Sequence, residues 1–260
     1  ELLPGGALRP LFREAIPNLA ALAARLPGAG TPGTAATAAM DPFRDLAVQL
    51  DARTLAVACA DFAQGGPLSG RRPSPALHLN LTLSAVLTRG FTRFAEVVRA
   101  YGGWAGIEIS LVEACADPQA FERARGLIRS AGFTLALDGV GHQALRITHL
   151  GRLRADLVKL EWSHGLASAG PEVEAALAEI GPSRVVLDRA DSEAALRWGY
   201  ARRVRRFQGR HMDAMLAAAR LGACPFASGC TLRLCAERGS ASDETGRASC
   251  ANAPLLDAGA

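Results

Sequence analysis

The chain has 260 residues, of which 49% are hydrophobic and 21% are charged, and its 29 Lys and Arg against 25 Asp and Glu give a net charge of +4. This apolar content excludes a wholly disordered chain, and so small a charge does not by itself indicate binding to nucleic acid or membranes. No apolar run reaches the roughly 18 residues that cross a bilayer, and no signal-peptide pattern is evident. We therefore predict no membrane span and a cytoplasmic location. Lys159 is the only lysine, since 28 of the 29 basic residues are arginine.

Residues 1–40 are interpreted as a peripheral segment. We predict a short helix over Leu8–Leu26, disturbed by Pro17, and then a Gly- and Pro-rich linker over Pro27–Gly33. Because the first residue is Glu1, we also expect that an upstream part of the protein precedes this sequence.

From about Asp41 onward, short apolar runs alternate with helical sequence. Each run has four to eight residues, which suits a strand buried on both faces. The runs are Thr54–Cys59, Ala76–Leu83, Gly106–Ser110, Thr134–Leu137, Leu157–Leu160, Arg184–Leu187 and Val204–Phe207. The alternation predicts a parallel sheet, closed as a (β/α)8 barrel or open and doubly wound. Since neither a G-x-G-x-x-G after the first run nor a P-loop motif occurs, we favour the barrel.

Six successive runs carry a polar residue at or near their carboxyl ends, the rim at which barrels carry out chemistry. These residues are Asn80, Glu108, Asp138, Lys159, Asp188 and Gln208. The oxygens of Asn80, Glu108 and Asp138 suit Mg²⁺ or Mn²⁺, so we predict a metal site there. Lys159 could stabilise developing charge on a phosphoryl oxygen.

The order of these residues resembles that of the EAL domain, the bacterial cyclic di-GMP phosphodiesterase fold. The resemblance runs from about Asp41 to Leu221, is strongest over Gly106–Glu161, and returns at Val185–Glu193 and Phe207–Gly209. It implies an EAL-type (β/α)8 TIM-like barrel in which two metals activate water for attack on a phosphodiester. It also implies that Asn80, Asp138, Lys159 and Gln208 contact the ligand, and that Lys159, Asp188 and Gln208 belong to the catalytic apparatus.

Several positions depart from the family's pattern. The Glu-Ala-Leu signature is absent: the signature strand is Leu55–Asp61, with Val57 or a neighbour in place of the glutamate and Asp61 in place of a phosphate-contacting arginine. Gly139 replaces the second Asp of the family's Asp-Asp-Phe-Gly motif, and Asp188 replaces a longer Glu. Losing one such electrostatic contact typically costs about 10²–10³-fold in rate, so hydrolysis is predicted to be negligible.

We therefore predict a catalytically inactive, degenerate EAL-like domain of a bacterial signalling protein, acting as a protein-interaction module or a cyclic di-GMP sensor, with vestigial metal and catalytic residues. The alternative is a weak metal-dependent cyclic di-GMP phosphodiesterase that uses the same rim residues. The expected partners are another protein, an upstream signalling domain or a second copy of the chain. Arg202–Arg206 forms a basic patch, but a solvated arginine-rich face is the preferred interpretation, so we do not expect nucleic-acid binding.

Four cysteines crowd the last 37 residues in the pattern C-x5-C-x4-C-x14-C, namely Cys224, Cys230, Cys235 and Cys250. Four thiolates could close a structural zinc site, although the usual C-x2-C spacing is missing. Free thiols or disulfides are the alternative. The sequence thus divides into an N-terminal helix and linker (1–40), a degenerate EAL-like barrel (41–222) and a Cys-rich tail (223–260).

Overall fold

The computed structural model describes residues 1–3, 7–15, 40–64, 66, 76–241 and 244–256. Its centre is a parallel sheet of seven strands that lie side by side in the order of the sequence. The strands are Phe12–Ala15 (β1), Ala76–Asn80 (β2), Ala105–Ser110 (β3), Thr134–Val140 (β4), Leu157–Glu161 (β5), Val185–Asp188 (β6) and Arg206–Phe207 (β7). An α/β fold with a parallel sheet is therefore confirmed.

Helices connect the strands and continue past the last one. The α-helices are Met40–Ala63 (α1), Leu83–Val86 (α2), Arg89–Ala100 (α3), Leu111–Ala116 (α4), Pro118–Ser130 (α5), Ala144–Ile147 (α6), His164–Ala167 (α7), Pro171–Ile180 (α8), Glu193–Ala201 (α9), Arg210–Ala223 (α10), Leu232–Ser240 (α11) and Glu244–Arg247 (α12). Short 3-10 turns lie at Leu150–Leu153, Pro182–Arg184, Ala227–Gly229 and Ala253–Leu256. No helix in the described ranges is long and apolar enough to cross a membrane.

Local sequence explains how these elements begin and what they bury. The start of α5 is fixed by its sequence, because Asp117 Oδ1 accepts a hydrogen bond from Ala120 N at 2.9 Å and Pro118 opens the helix. The central strands are apolar along most of their length, and Ile107, Leu135 and Leu137 are fully buried between the helices and the sheet interior. This core holds the carboxyl ends of the strands in fixed positions.

The sheet is strongly curved. In a flat sheet the first and seventh strands would lie about 29 Å apart, at about 4.8 Å per neighbouring pair. Instead Gln208, directly after β7, donates from Nε2 to Glu14 Oε2 of β1 at 2.5 Å, and Leu2 N donates to Arg205 O at 2.7 Å. The two outer strands are thus brought together, as in a TIM-like barrel, although the sheet in the described part of the chain has seven strands and not eight.

Two secondary-structure predictions for the first part of the chain are wrong at residues that the structure describes. Thr54–Cys59 lies in α1 and is not a strand, whereas Phe12–Ala15, inside the expected Leu8–Leu26 helix, is β1. Short apolar runs do not distinguish a strand from a helix, and α1 is apolar on exposed as well as buried positions, since Val57 is 49% exposed. β1 is short and half-buried, and it is fixed by parallel pairing with β2. Residues 16–39, including the expected linker, lie outside the described residues.

The segment that follows α10 packs on that helix around a second, much smaller apolar cluster. Its buried members are Ala217, Cys235 and Leu256, and Leu221, Cys230, Ala236 and Cys250 pack against them. In the described ranges, most of the buried apolar side chains belong instead to the cluster that surrounds the sheet.

Candidate functional site

A buried lysine lies at the centre of the carboxyl edge of the sheet. Lys159 on β5 is 2% exposed, and its Nζ lies 2.8 Å from Glu14 Oε2, 2.7 Å from Glu108 Oε2 and 3.7 Å from Asp138 Oδ1. Burial lowers the pKa of Lys159, but the carboxylates of Glu108 and Glu14 outweigh it and raise that pKa well above its usual value. The side chain is therefore a fixed cation that joins strands β1, β3 and β5.

Glu14 of β1 is held by donors from three other parts of the sheet. Its Oε1 accepts from Asn80 Nδ2 at 2.5 Å, and its Oε2 accepts from Lys159 Nζ and from Gln208 Nε2 at 2.5 Å. Burial raises the pKa of Glu14, but the charge of Lys159 and these three donors hold it below its ordinary value. Glu14 is consequently a carboxylate whose orientation is set by its neighbours.

Glu108 of β3 is oriented by a buried histidine as well as by Lys159. His78 Nδ1 lies 2.8 Å from Glu108 Oε1, and the His78 ring stacks on Phe12 with centroids 3.9 Å apart. His78 lies opposite Gly106 in the β2–β3 register, and a Cβ on Gly106 would lie 2.3 Å from His78 Nε2. The glycine is therefore needed where it is, because any side chain would displace this ring.

Two further carboxylates lie on the more open side of this cluster. The Asp138 side chain is 34% exposed. Burial raises the pKa of Asp188, the last residue of β6; a backbone hydrogen bond from Arg189 and the charge of Lys159 lower it, and Asp138 and Glu14 raise it. Gly139, next to Asp138, has φ +69° and open space where a side chain would extend. The cluster is thus open to solvent at Asp138, and the next residue in the sequence, Gly139, carries no carboxylate.

The structure places all six sequence-predicted residues at the same edge of the sheet. Two of them end a strand, three lie within the last residues of a strand, and one directly follows a strand. In that order they are Asn80 (β2) and Asp188 (β6); Glu108 (β3), Asp138 (β4) and Lys159 (β5); and Gln208 (β7). Asn80, Glu108, Lys159 and Gln208 are further linked through one another or through Glu14. Their assignment to metal, ligand or catalysis stays a prediction.

The sequence interpretation missed two members of the cluster, Glu14 and His78. Glu14 and Ala15 end β1 and Ile16 follows them in the sequence, so a close variant of Glu-Ala-Leu begins where the prediction placed a helix. Val57 and Asp61 were instead aligned with the family's glutamate and arginine. That alignment is wrong, because both residues lie in α1 and not at the edge of the sheet.

The donor set is chemically suited to a hard divalent cation. Glu14, Asn80, Glu108 and Asp138 offer carboxylate and amide oxygens, which Mg²⁺ and Mn²⁺ prefer. In the described conformation, the ammonium of Lys159 supplies the positive charge between Glu14 and Glu108. Among the described residues, no group of three or more His, Cys, Asp or Glu is arranged around an ion position.

The arginine patch is largely paired within the protein. Arg202 Nε lies 2.8 Å from Glu174 Oε1, and its guanidinium lies 4.3 Å from the centroid of the Trp198 ring. The guanidinium of Arg205 lies 4.0 Å from the centroid of the Tyr200 ring. These contacts agree with the interpretation of the patch as an arginine-rich protein face.

The four tail cysteines come together. Cys224, Cys230, Cys235 and Cys250 all line one cavity of about 300 Å³, and all four are free thiols. Burial raises the pKa of the Cys235 thiol; Cys230, Cys250 and Cys224 raise it further, and Arg220 lowers it. The tail thus brings its four thiols to one place.

Comparison with proteins of known structure identifies the fold of this chain. No family model and no curated protein matches the sequence. The EAL domain of Mycobacterium smegmatis DcpA matches by structure with a TM-score of 0.50 and 21% identity, over 64% of this chain and 79% of that chain. The Bacillus subtilis YkuI protein, solved with c-di-GMP and calcium, matches with a TM-score of 0.49 and 16% identity, over 67% of this chain and 46% of that chain. Vibrio cholerae LapD matches with a TM-score of 0.49 and 11% identity, over 66% and 43%.

The chain thus spans less than half of the YkuI and LapD chains, whereas it spans most of the DcpA domain. The DcpA match, together with the sequential parallel sheet, shows that this chain has an EAL-type fold.

Proposed function

We propose that this chain is an EAL-type signalling domain that binds cyclic di-GMP at the carboxyl edge of its sheet without hydrolysing it at an appreciable rate. The observation that carries the proposal is the buried cluster of Glu14, Glu108 and Lys159, which opens to solvent beside Asp138. Such a preorganised set of charges at the strand ends is typical of a ligand site in this architecture.

The charges of the cluster indicate that binding depends on a divalent cation. Three carboxylates, those of Glu14, Glu108 and Asp138, face the single ammonium of Lys159. A dinucleotide with two phosphodiester groups is itself anionic, so these carboxylates would repel it. Mg²⁺ or Mn²⁺ held by Glu14, Asn80, Glu108 and Asp138 would neutralise the carboxylates and supply a Lewis acid for the phosphate.

A carboxylate that two-metal hydrolysis would need is missing beside Asp138. Two-metal hydrolysis needs carboxylates for both ions, and Gly139 supplies none. Asp188 is one methylene shorter than the Glu that the resemblance implies at its position. These are the substitutions on which we base the absence of turnover, since a lost electrostatic contact typically costs about 10²–10³-fold in rate.

Calorimetry and chromatography together test this proposal. Cyclic di-GMP is titrated into the purified chain with Mn²⁺, with Mg²⁺ and with a chelator, and the same mixtures are analysed for the linear dinucleotide. We expect saturable heat only with a divalent cation and no product above a protein-free control. Asn80→Ala should abolish the heat, whereas Arg197→Ala, on the exposed face of α9, should leave it unchanged. Turnover at an ordinary enzymatic rate, or no heat with either metal, would contradict the proposal.

A weak phosphodiesterase is the second candidate, and one observation favours it. Glu14 provides the carboxylate that the sequence interpretation considered lost, and it is already oriented by Asn80, Lys159 and Gln208. This candidate predicts slow, Mn²⁺-dependent product formation at high protein concentration that Glu14→Gln abolishes. Product formation that survives Glu14→Gln would point to a contaminating enzyme and remove this candidate.

A binding domain without turnover must pass its signal to another surface. We propose that the receiver is a protein partner, an upstream signalling domain or a second copy of the chain, in the cytoplasm of a bacterium. The exposed apolar side chains of Val48, Val57 and Tyr101 support a protein contact near α1. Size-exclusion chromatography with light scattering, with and without cyclic di-GMP, distinguishes the second copy from the other two.

A further inference from the structure

The tail that follows α10 has too small an apolar core to be stable by burial alone. Among the described residues its cluster has three buried members, Ala217, Cys235 and Leu256, and the first of these belongs to α10 itself. Segments of this size usually need a disulfide or a structural metal to keep a fixed fold. The tail nevertheless has a defined course, with α11, α12 and two 3-10 turns.

We propose that Cys224, Cys230, Cys235 and Cys250 bind one structural zinc ion that fixes the tail against α10. The four residues line the same cavity although they come from four different places: the end of α10, the turn before α11, the first turn of α11 and the segment after α12. Cys230 and Cys250 also pack against the small apolar cluster to which the buried Cys235 belongs. One ion would therefore join four separate pieces of backbone.

The surroundings of the cavity suit the charge of such a centre. Zinc with four thiolates carries a net charge of about −2, which neighbouring cations and N–H donors stabilise. Arg220 and Arg238 line the cavity with the cysteines, and Arg238 Nη1 already lies 3.3 Å from Cys230 Sγ. The Nε of Arg238 is buried without a hydrogen-bond partner among the described residues, so a donor is available for a thiolate.

The thiols would have to close on the ion. In the described ranges the four thiols line a cavity of about 300 Å³ but are not arranged as a ligand set around one ion position. On binding, each thiol releases its proton to solvent and four Zn–S bonds of about 2.3 Å form, so that the cavity is consumed. No oxidation or reduction takes place. The inference does not rest on cyclic di-GMP binding, because none of the residues proposed to hold the dinucleotide or its metal lines the tail cavity.

Zinc content and ligand exchange test the proposal. The full chain, purified under reducing conditions without chelator, should contain about one zinc ion by elemental analysis. Cys250→Ala should reduce this content to background, whereas Cys250→His, which preserves a zinc ligand, should keep it. Cys115→Ser is the matched control, because Cys115 is an exposed thiol outside the tail and its loss should leave zinc unchanged.

A second measurement covers the case in which a variant fails to fold. Replacing zinc with Co²⁺ in the unmodified chain should give the intense thiolate-to-cobalt absorption of a tetrahedral sulfur site. A chelator should then make the tail sensitive to protease while the sheet domain persists. Zinc-free protein whose tail resists protease, four tail thiols that react freely with a thiol reagent in the presence of zinc, or tail disulfides found by mass spectrometry would each overturn the proposal.

Discussion

The carboxyl edge of the sheet and the tail cavity both gather groups that suit a metal, but they differ in how those groups are satisfied. At the sheet edge, Lys159 supplies a positive charge to Glu14 and Glu108, and Asn80 and Gln208 complete the hydrogen bonds. In the tail, four thiols share a cavity, and Arg238 contributes one hydrogen bond to Cys230. A metal bound as proposed would therefore have a different role in each region. At the sheet it would adjust a cluster that is already stable, whereas in the tail it would create the stability.

The largest expected effect comes from removing the cation at the sheet edge. Lys159→Met leaves Glu14 and Glu108 buried without their counter-charge, and breaking a buried pair in this way costs about 3–5 kcal/mol in the free energy of unfolding. Urea unfolding measures this loss. Arg197→Met breaks the exposed Arg197–Glu193 pair and should change the free energy by less than about 1 kcal/mol. A loss below about 1 kcal/mol for Lys159→Met would show that the two carboxylates do not depend on it.

The next effect concerns catalysis. Gly139→Asp places a second carboxylate beside Asp138, in open space, at the cost of about 1 kcal/mol for a left-handed backbone that Asp tolerates better than most residues. We expect Mn²⁺-dependent hydrolysis of cyclic di-GMP to rise by about 10²-fold or more. Gly139→Asn, of similar size but uncharged, should gain much less. Equal rates for the two variants would contradict the role assigned to the missing carboxylate.

A smaller effect is expected from crowding His78. Gly106→Ala places a Cβ 2.3 Å from His78 Nε2, so the ring must move away from Glu108, at a cost of about 1–3 kcal/mol in the free energy of unfolding. Gly126→Ala in α5 is the control, because its Cβ would meet nothing within 4 Å and helix propensity predicts a stabilisation of about 1 kcal/mol. If both variants proved equally stable, the close contact at Gly106 would be incorrect.

The smallest effect is a pH dependence. The folded pKa of Glu14 lies below its ordinary value of 4.5, so the stability that Glu14 contributes is fully present above that value. It is lost as the pH falls through the lower, folded pKa. Burial raises the pKa of Asp188, and this changes stability with pH in the opposite direction. The effect of Glu14 is therefore isolated by comparing the native chain with Glu14→Gln, in which Asp188 is unchanged. Below about pH 4.5, the difference in unfolding free energy between the native chain and this variant should shrink. A constant difference down to pH 3 would contradict the shift.

Much of the sheet could be predicted because its strands are buried on both faces. The strands from β2 to β7 follow from short apolar runs, and Lys159 was recognisable as a single lysine within one of them. β1 could not be predicted in this way. It has four residues, two of them charged, and it is stabilised by pairing with Ala76–Leu79, some sixty residues later in the sequence. With β1 lost, Glu14 was lost from the predicted site.

The same reason explains two other errors. Thr54–Cys59 is an apolar run of the length expected for a strand, but in the structure it is part of the helix α1. His78 was included in a strand, but its contact with Glu108 depends on the register between β2 and β3. Periodicity indicates which face a residue occupies, whereas register and pairing partner depend on the assembled sheet.

Metal-dependent binding without turnover is tested most directly by titrating cyclic di-GMP into the full chain in Mn²⁺, repeating the titration after chelation, and measuring the product in the same samples. We expect saturable binding in Mn²⁺, no binding after chelation, and no linear dinucleotide above the protein-free control. Binding that persists in chelator, the absence of binding with metal, or product formation at an ordinary enzymatic rate would contradict it.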